Sequence, residues 1–184
     1  PLYSSAASDV YKRQGGTEAN NLALSVFDHV ITSAVEHDSI LRAVPDATLV
    51  GVDADGRIDL DQLHDVLNAL PDDKRRTTLV SVMYANNETG VIQPIGDVVA
   101  LAQEAGVATH SDMVQVLGKQ HLDFSSSGLD YASLSAHKIG GPTGVGALLV
   151  RPGLRMTSLL RGGGQEQGRR CLLYTSPSPR DLST

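Results

Sequence analysis

Thr77-Thr-Leu-Val-Ser-Val-Met83, followed by Asn86-Asn-Glu-Thr-Gly90, by Ile95, Val98, Val99 and Ala102, and by Gly106-Val-Ala-Thr-His-Ser-Asp112, is the stretch that decides the fold. The first run reads as a central strand, and the polar run behind it as a turn at that strand's carboxyl end. Apolar residues at 95, 98, 99 and 102 return with helical spacing, and the chain then enters a strand that finishes at Asp112. Strand, helix and strand in this order make a βαβ unit of a parallel sheet, and ligands of such sheets collect outside the carboxyl ends of the strands.

The same alternation extends outward. Upstream, His29 to Ser33 is a short strand candidate that runs into Glu36-His37-Asp38-Ser39 and a brief apolar piece, Ile40 to Val44. Thr48 to Val52 is a further strand. Asp59 is a candidate N-cap for a helix whose Leu60, Leu63, Leu67 and Leu70 would cover one sheet face. Gly15-Gly-Thr-Glu-Ala-Asn-Asn21 reads as a glycine turn feeding a helix with an exposed start, where free N–H groups and the Thr17 hydroxyl suit a phosphate. Downstream, Tyr131 to Ser135 is a strand ending in Ser135-Ala-His137-Lys138 and a glycine-rich turn, and Gly146 to Val150 would run back beside it. The expected class is α/β, a three-layer α/β/α arrangement around a mainly parallel sheet. Candidate linkers are the charged loop at 71 to 76 and the segment from Ser125 to Gly128.

Composition bounds the function. The chain has 184 residues, 41% of them hydrophobic, with no tryptophan and two phenylalanines, so its core must be aliphatic. A net charge of -6 argues against nucleic acid as a partner, and no apolar run reaches membrane-spanning length. The single cysteine, Cys171, excludes an internal disulfide and any multi-cysteine metal site, and a reducing, cytoplasmic setting is the expectation. Residues 1–14 and 171–184 lack the pattern of the middle and are expected to be non-native tails flanking a partial domain at 15–170.

Of the four lysines, only Lys138 stands at a strand end beside glycines. His37, Asn86, Asp112 and Gln115 fall at strand ends too. An amine able to form an imine and a carboxylate at a buried strand end are both needed by pyridoxal 5'-phosphate, whose aldehyde is held by lysine and whose ring nitrogen must stay protonated. His110, Asp112 and His137 also admit a metal reading, but no third histidine or cysteine at ligand spacing supports it, and no metal is expected. His64 and His121 read as surface residues.

Six ordered motifs carry a family resemblance: Gly15-Gly-Thr-Glu-Ala-Asn-Asn21, Glu36-His37, Asn86-Asn-Glu-Thr-Gly90, Asp112-x-x-Gln115, Ser135-x-His137-Lys138-x-x-Gly141-Pro142 and Gly162-Gly-Gly-Gln-Glu166. From Gly15 to Arg170 the chain resembles the large domain of cysteine desulfurases, class V aminotransferase-like enzymes of fold-type I, and more closely the branch serving iron–sulfur cluster assembly. The resemblance implies that Lys138 is the Schiff-base lysine and the acid–base group, and that Asp112 pairs with the pyridine nitrogen. It implies that His37, the second catalytic candidate, stacks on the ring, and that Gln115 and Asn86 sit near the phenolic oxygen and substrate. Thr17, Ser135 and His137 would hold the phosphate. Implied partners are L-cysteine, a second copy of the chain in a homodimer, and a sulfur-acceptor or scaffold protein; another class V aminotransferase or a selenocysteine lyase is the alternative.

There are departures. Gln14 and Cys171-Leu-Leu173 replace family residues at the two ends of the matching region, and Met113 stands where a small residue is usual, so slight crowding of the site is expected. The family's sulfur-accepting cysteine and its carboxylate-gripping arginine lie in a C-terminal part with no counterpart in these residues. Cys171 is in the wrong place to be that nucleophile, and the chain alone is expected to be inactive.

Overall fold

The computed structural model describes residues 15–154 and 156, together with the backbone of residues 9–13. The cationic loop Arg161–Arg170, with its Gly162–Glu166 motif, and the segment from Cys171 onward lie outside the described residues.

Strands and helices alternate as the apolar spacing requires. The order is β1 (Asp9–Arg13), α1 (Gly16–Leu24), β2 (His29–Ser33), α2 (Asp38–Leu41), β3 (Thr48–Val50), α3 (Leu60–Asn68), α4 (Asp72–Arg75), β4 (Thr78–Ser81), α5 (Ile95–Glu104), β5 (Ala108–Asp112), β6 (Tyr131–Ser135), a single 3₁₀ turn (Ala136–Ile139) and β7 (Gly146–Val150). The strands form one sheet in the order β1-β7-β6-β5-β4-β2-β3. Pairing is parallel from β3 through β2, β4 and β5 to β6, and antiparallel at β6–β7 and β7–β1.

Each face of this sheet carries its own apolar cluster. On one, α1 and α2 lay Ala19, Leu22, Ala23, Leu24 and Ile40 over Val30, Leu79, Tyr131 and Leu148. On the other, Leu63 and Leu67 of α3 and Val98, Val99 and Ala102 of α5 cover Ile31, Val80, Val82 and Ala132. Cover on both sides explains why every residue of β4 is buried, without alternation. The three-layer α/β/α architecture anticipated from the sequence is therefore the observed one. Asp59 caps α3 as expected, its carboxylate accepting the Gln62 N–H at 2.9 Å.

Three expectations need correcting. The run at 71–76 is no linker: it contains the helical turn α4, tied down where the Arg75 guanidinium donates to the Ala105 carbonyl at 2.9 Å. The segment 125–128 is also packed, so closely that a Cβ on Gly128 would stand 2.7 Å from Val99. Residues 9–13, set outside the fold on the sequence, form the edge strand β1 in register with β7. An edge pairing needs only backbone N–H and C=O groups, so apolar periodicity does not reveal it.

Core and surface leucines of similar sequence context separate cleanly. Leu63→Ala, at a fully buried position, is expected to cost about 2–5 kcal/mol. Leu49→Ala, at 52% exposure on β3, should change stability by no more than about 0.5 kcal/mol. Urea unfolding of the two variants checks the contrast.

Candidate functional site

At the carboxyl ends of β4, β5 and β6 the sheet opens into a cleft of about 290 Å³. Its lining includes Thr17, His37, Asp112, Gln115, Ser135, His137 and Lys138, all predicted from the sequence, and Asn20, Ser39, Met83, Asn87 and Val114, which were not.

The floor is Asp112, the last residue of β5 and buried. Both of its oxygens are engaged: Oδ1 accepts the Val114 N–H at 2.9 Å and Oδ2 accepts from Asn20 Nδ2 at 2.7 Å. Burial raises the pKa of this carboxyl, opposed first by the Asn20 hydrogen bond and then by the Val114 N–H. A carboxylate held in so poor a solvent favours a cationic partner strongly.

One wall is phosphate-suited. Helix α1 begins at Gly15, which offers no side-chain cap, so the first-turn N–H groups depend on an outside acceptor. Gly16 lets that turn sit close against its neighbours: a Cβ there would meet Val114 at 2.9 Å and Ser135 at 3.6 Å. Ser135 closes β6, and its hydroxyl lies 2.7 Å from His137 Nδ1. Thr17, Ser135 and His137 thus share one side of the cleft with a helix N-terminus. Lys138 follows on the 3₁₀ turn, which Gly140 ends in the left-handed conformation at φ 78. Lys138 is exposed.

The opposite wall is His37, the N-cap of α2. Its Nδ1 accepts the Ser39 N–H at 3.0 Å and lies 2.8 Å from Ser39 Oγ.

Two expectations shift by a residue or a face. Asn86 is absent from the cleft lining; its Nδ2 donates to the Val35 carbonyl at 2.8 Å and its Oδ1 accepts the N–H groups of Glu88 and Thr89. It shapes the turn, while Asn87, the next residue of the same polar run, reaches the cleft. Met113 is packed in the cluster beneath α3 and α5 and does not crowd the site. Alternation along a strand puts residues 112 and 113 on opposite faces.

Two buried ionisable groups stand behind the cleft. His110 bridges three strands, Nδ1 2.8 Å from Ser81 Oγ and Nε2 2.9 Å from Ser133 Oγ, and burial lowers its pKa to about 3. With both ring nitrogens engaged it has none left for a metal, and among the described residues no group of three His, Cys, Asp or Glu is placed to hold one. Glu36 is buried under the end of β2. Its Oε1 accepts from Ser33 Oγ at 2.7 Å and from the Met83 N–H at 2.8 Å, while Oε2 has no partner. Burial raises its pKa to about 8 against those two hydrogen bonds, with a further push from Asp112.

This donor and acceptor set fits pyridoxal 5'-phosphate: a buried carboxylate for the ring nitrogen, an exposed lysine amine, an imidazole, and a helix start with hydroxyls for the phosphate. The missed residues carry little signal of their own. Asn20 and Ser39 are small polar residues inside helix patterns, and only the folding of α1 against β5 and α2 brings Asn20 to Asp112 and Ser39 to Asn20.

The profile of the aminotransferase class-V family matches residues 3–178. A cysteine desulfurase of Gluconacetobacter diazotrophicus is 43% identical, over 85% of this chain and 41% of that protein. The cysteine desulfurase IscS of Clostridium botulinum is 37% identical, over 89% and 43%. Among solved structures, the NifS-like protein from Rickettsia africae has a TM-score of 0.85 at 35% identity, covering 91% of this chain and 47% of that one. SspA in complex with cysteine has a TM-score of 0.76 at 32% identity, covering 94% and 52%. The chain spans about half the length of the relatives it matches.

Glu36 gives the fold a pH dependence of definite sign. An unfolded glutamate releases its proton near pH 4.5, whereas folded Glu36 keeps it to about 8, so the folded state holds the extra proton in that window and stability falls as pH rises through it. Glu36→Gln has no proton to lose. Measured by urea unfolding, its stability relative to the parent protein is expected to rise between pH 5 and 8 by a few kcal/mol.

Asn86→Ala should unfold at lower urea with a loss of about 1–3 kcal/mol, since it strips the turn of its acceptor. Asn87→Ala should leave the unfolding midpoint nearly unchanged.

Proposed function

This chain belongs to the class-V aminotransferase family, and from that premise we propose that it forms the cofactor-binding part of a pyridoxal-phosphate-dependent cysteine desulfurase. The single observation behind the proposal is that Lys138, Asp112, His37, Thr17, Ser135 and His137, far apart in sequence, line one cleft at the strand ends. Its support is chemical complementarity together with likeness to cysteine desulfurases over most of this chain.

When bound, the cofactor supplies an aldehyde that forms an imine with an amine and a protonated ring that draws electrons from the substrate's α-carbon. Lys138 is the amine. Released by substrate, it takes the α-proton and later returns a proton to the product carbon. Asp112 keeps the ring nitrogen protonated, because loss of that proton would strand a buried carboxylate without a counter-charge. Thr17, Ser135, His137 and the open first turn of α1 hold the phosphate dianion. His37 lies against the ring, and Gln115 with Asn87 supplies amide donors and acceptors to its oxygen or to the substrate; the structural role of Asn86 makes Asn87 the better choice.

The reaction is transfer of the sulfur of L-cysteine to an enzyme thiolate, giving a persulfide and L-alanine. On this reading the accepting thiolate and the group that grips the substrate carboxylate belong to the other half of the enzyme. A homodimer, a cytoplasmic setting and delivery of the sulfur to an acceptor or scaffold protein, as in iron–sulfur cluster assembly, complete the proposal.

The full-length enzyme incubated with L-cysteine and a thiol reductant is expected to release alanine and sulfide in equal amounts. Lys138→Ala should abolish the imine absorbance and lower turnover by at least about 100-fold. Retention of both the absorbance and the turnover in that variant would overturn the proposal.

A further inference from the structure

Asn20 has no part in the roles assigned above, yet two of them meet on it. It lies within α1, 1% exposed, with its amide between Asp112 on β5 and Ser39 on α2. Nδ2 donates one hydrogen to Asp112 Oδ2 at 2.7 Å and the other to Ser39 Oγ at 2.8 Å. Ser39 in turn donates its backbone N–H to His37 Nδ1 at 3.0 Å, and its Oγ lies 2.8 Å from the same nitrogen. A nitrogen that accepts an N–H carries no proton of its own, so the imidazole proton of neutral His37 sits on Nε2.

The far end of the amide shows what sets its orientation. Asn20 Oδ1 is buried and has no partner. Turning the amide over would place an oxygen beside the Asp112 carboxylate, acceptor against acceptor. The observed orientation therefore gives Asp112 Oδ2 a donor, even though it leaves a carbonyl oxygen bare in the interior.

We propose that Asn20 is a positioning residue: it holds Asp112 as the carboxylate that partners the cofactor's ring nitrogen and, through the Ser39 hydroxyl, links that carboxylate to His37. The proposal rests on the cofactor reading given under Proposed function. Support comes from the ordering of influences on Asp112, where burial drives the carboxyl toward its acid form and the Asn20 hydrogen bond is the largest one opposing it. Without those donors the acid form gains, and an acid has no charge to keep a ring nitrogen protonated.

The two arms are separable with two ligands and three variants. Full-length apoenzyme carrying Asn20→Leu, similar in volume but without donors, or Asn20→Ala is titrated with pyridoxal 5'-phosphate and with its carbocyclic analogue, in which C–H replaces the ring nitrogen. Ser39→Ala, which removes the hydroxyl between Asn20 and His37 but leaves the Asn20–Asp112 bond and the backbone N–H to His37 in place, is titrated alongside. Both Asn20 variants are expected to weaken the natural cofactor about 10-fold more than the analogue, the scale of one hydrogen bond to a charged group. Ser39→Ala should weaken the two ligands by the same factor. Equal weakening of both ligands by the Asn20 variants, or none, overturns the inference while leaving the cofactor reading intact. Wild-type apoenzyme that binds neither ligand overturns that reading, and the inference with it.

Discussion

A carboxylate at the buried end of the middle strand is the constraint around which this fold is arranged. Asp112 ends β5, flanked by β4 on one side and β6 on the other, and α1 lies over it. Taking a charge out of water is costly unless hydrogen bonds and a counter-charge replace the water. The Val114 N–H and the Asn20 amide supply the first. The second is open to a cationic ligand, for which the cleft above Asp112 leaves room.

The polar groups behind the cleft follow the same economy by other means. His110 lies two residues before Asp112 on the same face of β5, and it is kept neutral by burial, with serine hydroxyls from β4 and β6 on its ring nitrogens. It fastens three strands side by side without adding charge near the carboxylate. Glu36 is likewise held as the acid below about pH 8, so the nearest buried carboxyl does not compete with Asp112 for a cation. Asp112 is the buried carboxyl that faces the cleft, and both of its oxygens accept hydrogen bonds.

Close backbone approach completes the site from the other edge. The chain leaves β6 through the turn that carries Lys138 and returns as antiparallel β7. β7 begins at Gly146, where a Cβ would come within 2.6 Å of the Gly15 backbone. Gly15 opens α1, so the return strand presses against the turn that presents the phosphate-suited helix start. The antiparallel turn of the chain thereby brings the lysine and the phosphate-suited wall to one place.

How much of this was legible in the residues follows from the range of each interaction. Strand and helix identities are local: the aliphatic run at 77–83, the leucines at 60, 63, 67 and 70, and Asp59 as a cap could be read because burial period and capping chemistry act over a few residues. Strand-end positions of Asp112, His37 and Lys138 followed from the βαβ pattern, since parallel strands must finish at one edge. The edge strand Asp9–Arg13 was illegible because its pairing is a backbone affair with a partner more than a hundred residues away. So was the exchange between Asn86 and Asn87, two identical side chains whose roles are decided by which one turns toward Val35 and which toward the cleft. Asn20 is the clearest case. By itself it is an ordinary polar residue in a helix, and only the packing of α1 against β5 and α2, driven by the apolar faces around it, gives its amide a carboxylate on one side and a serine on the other.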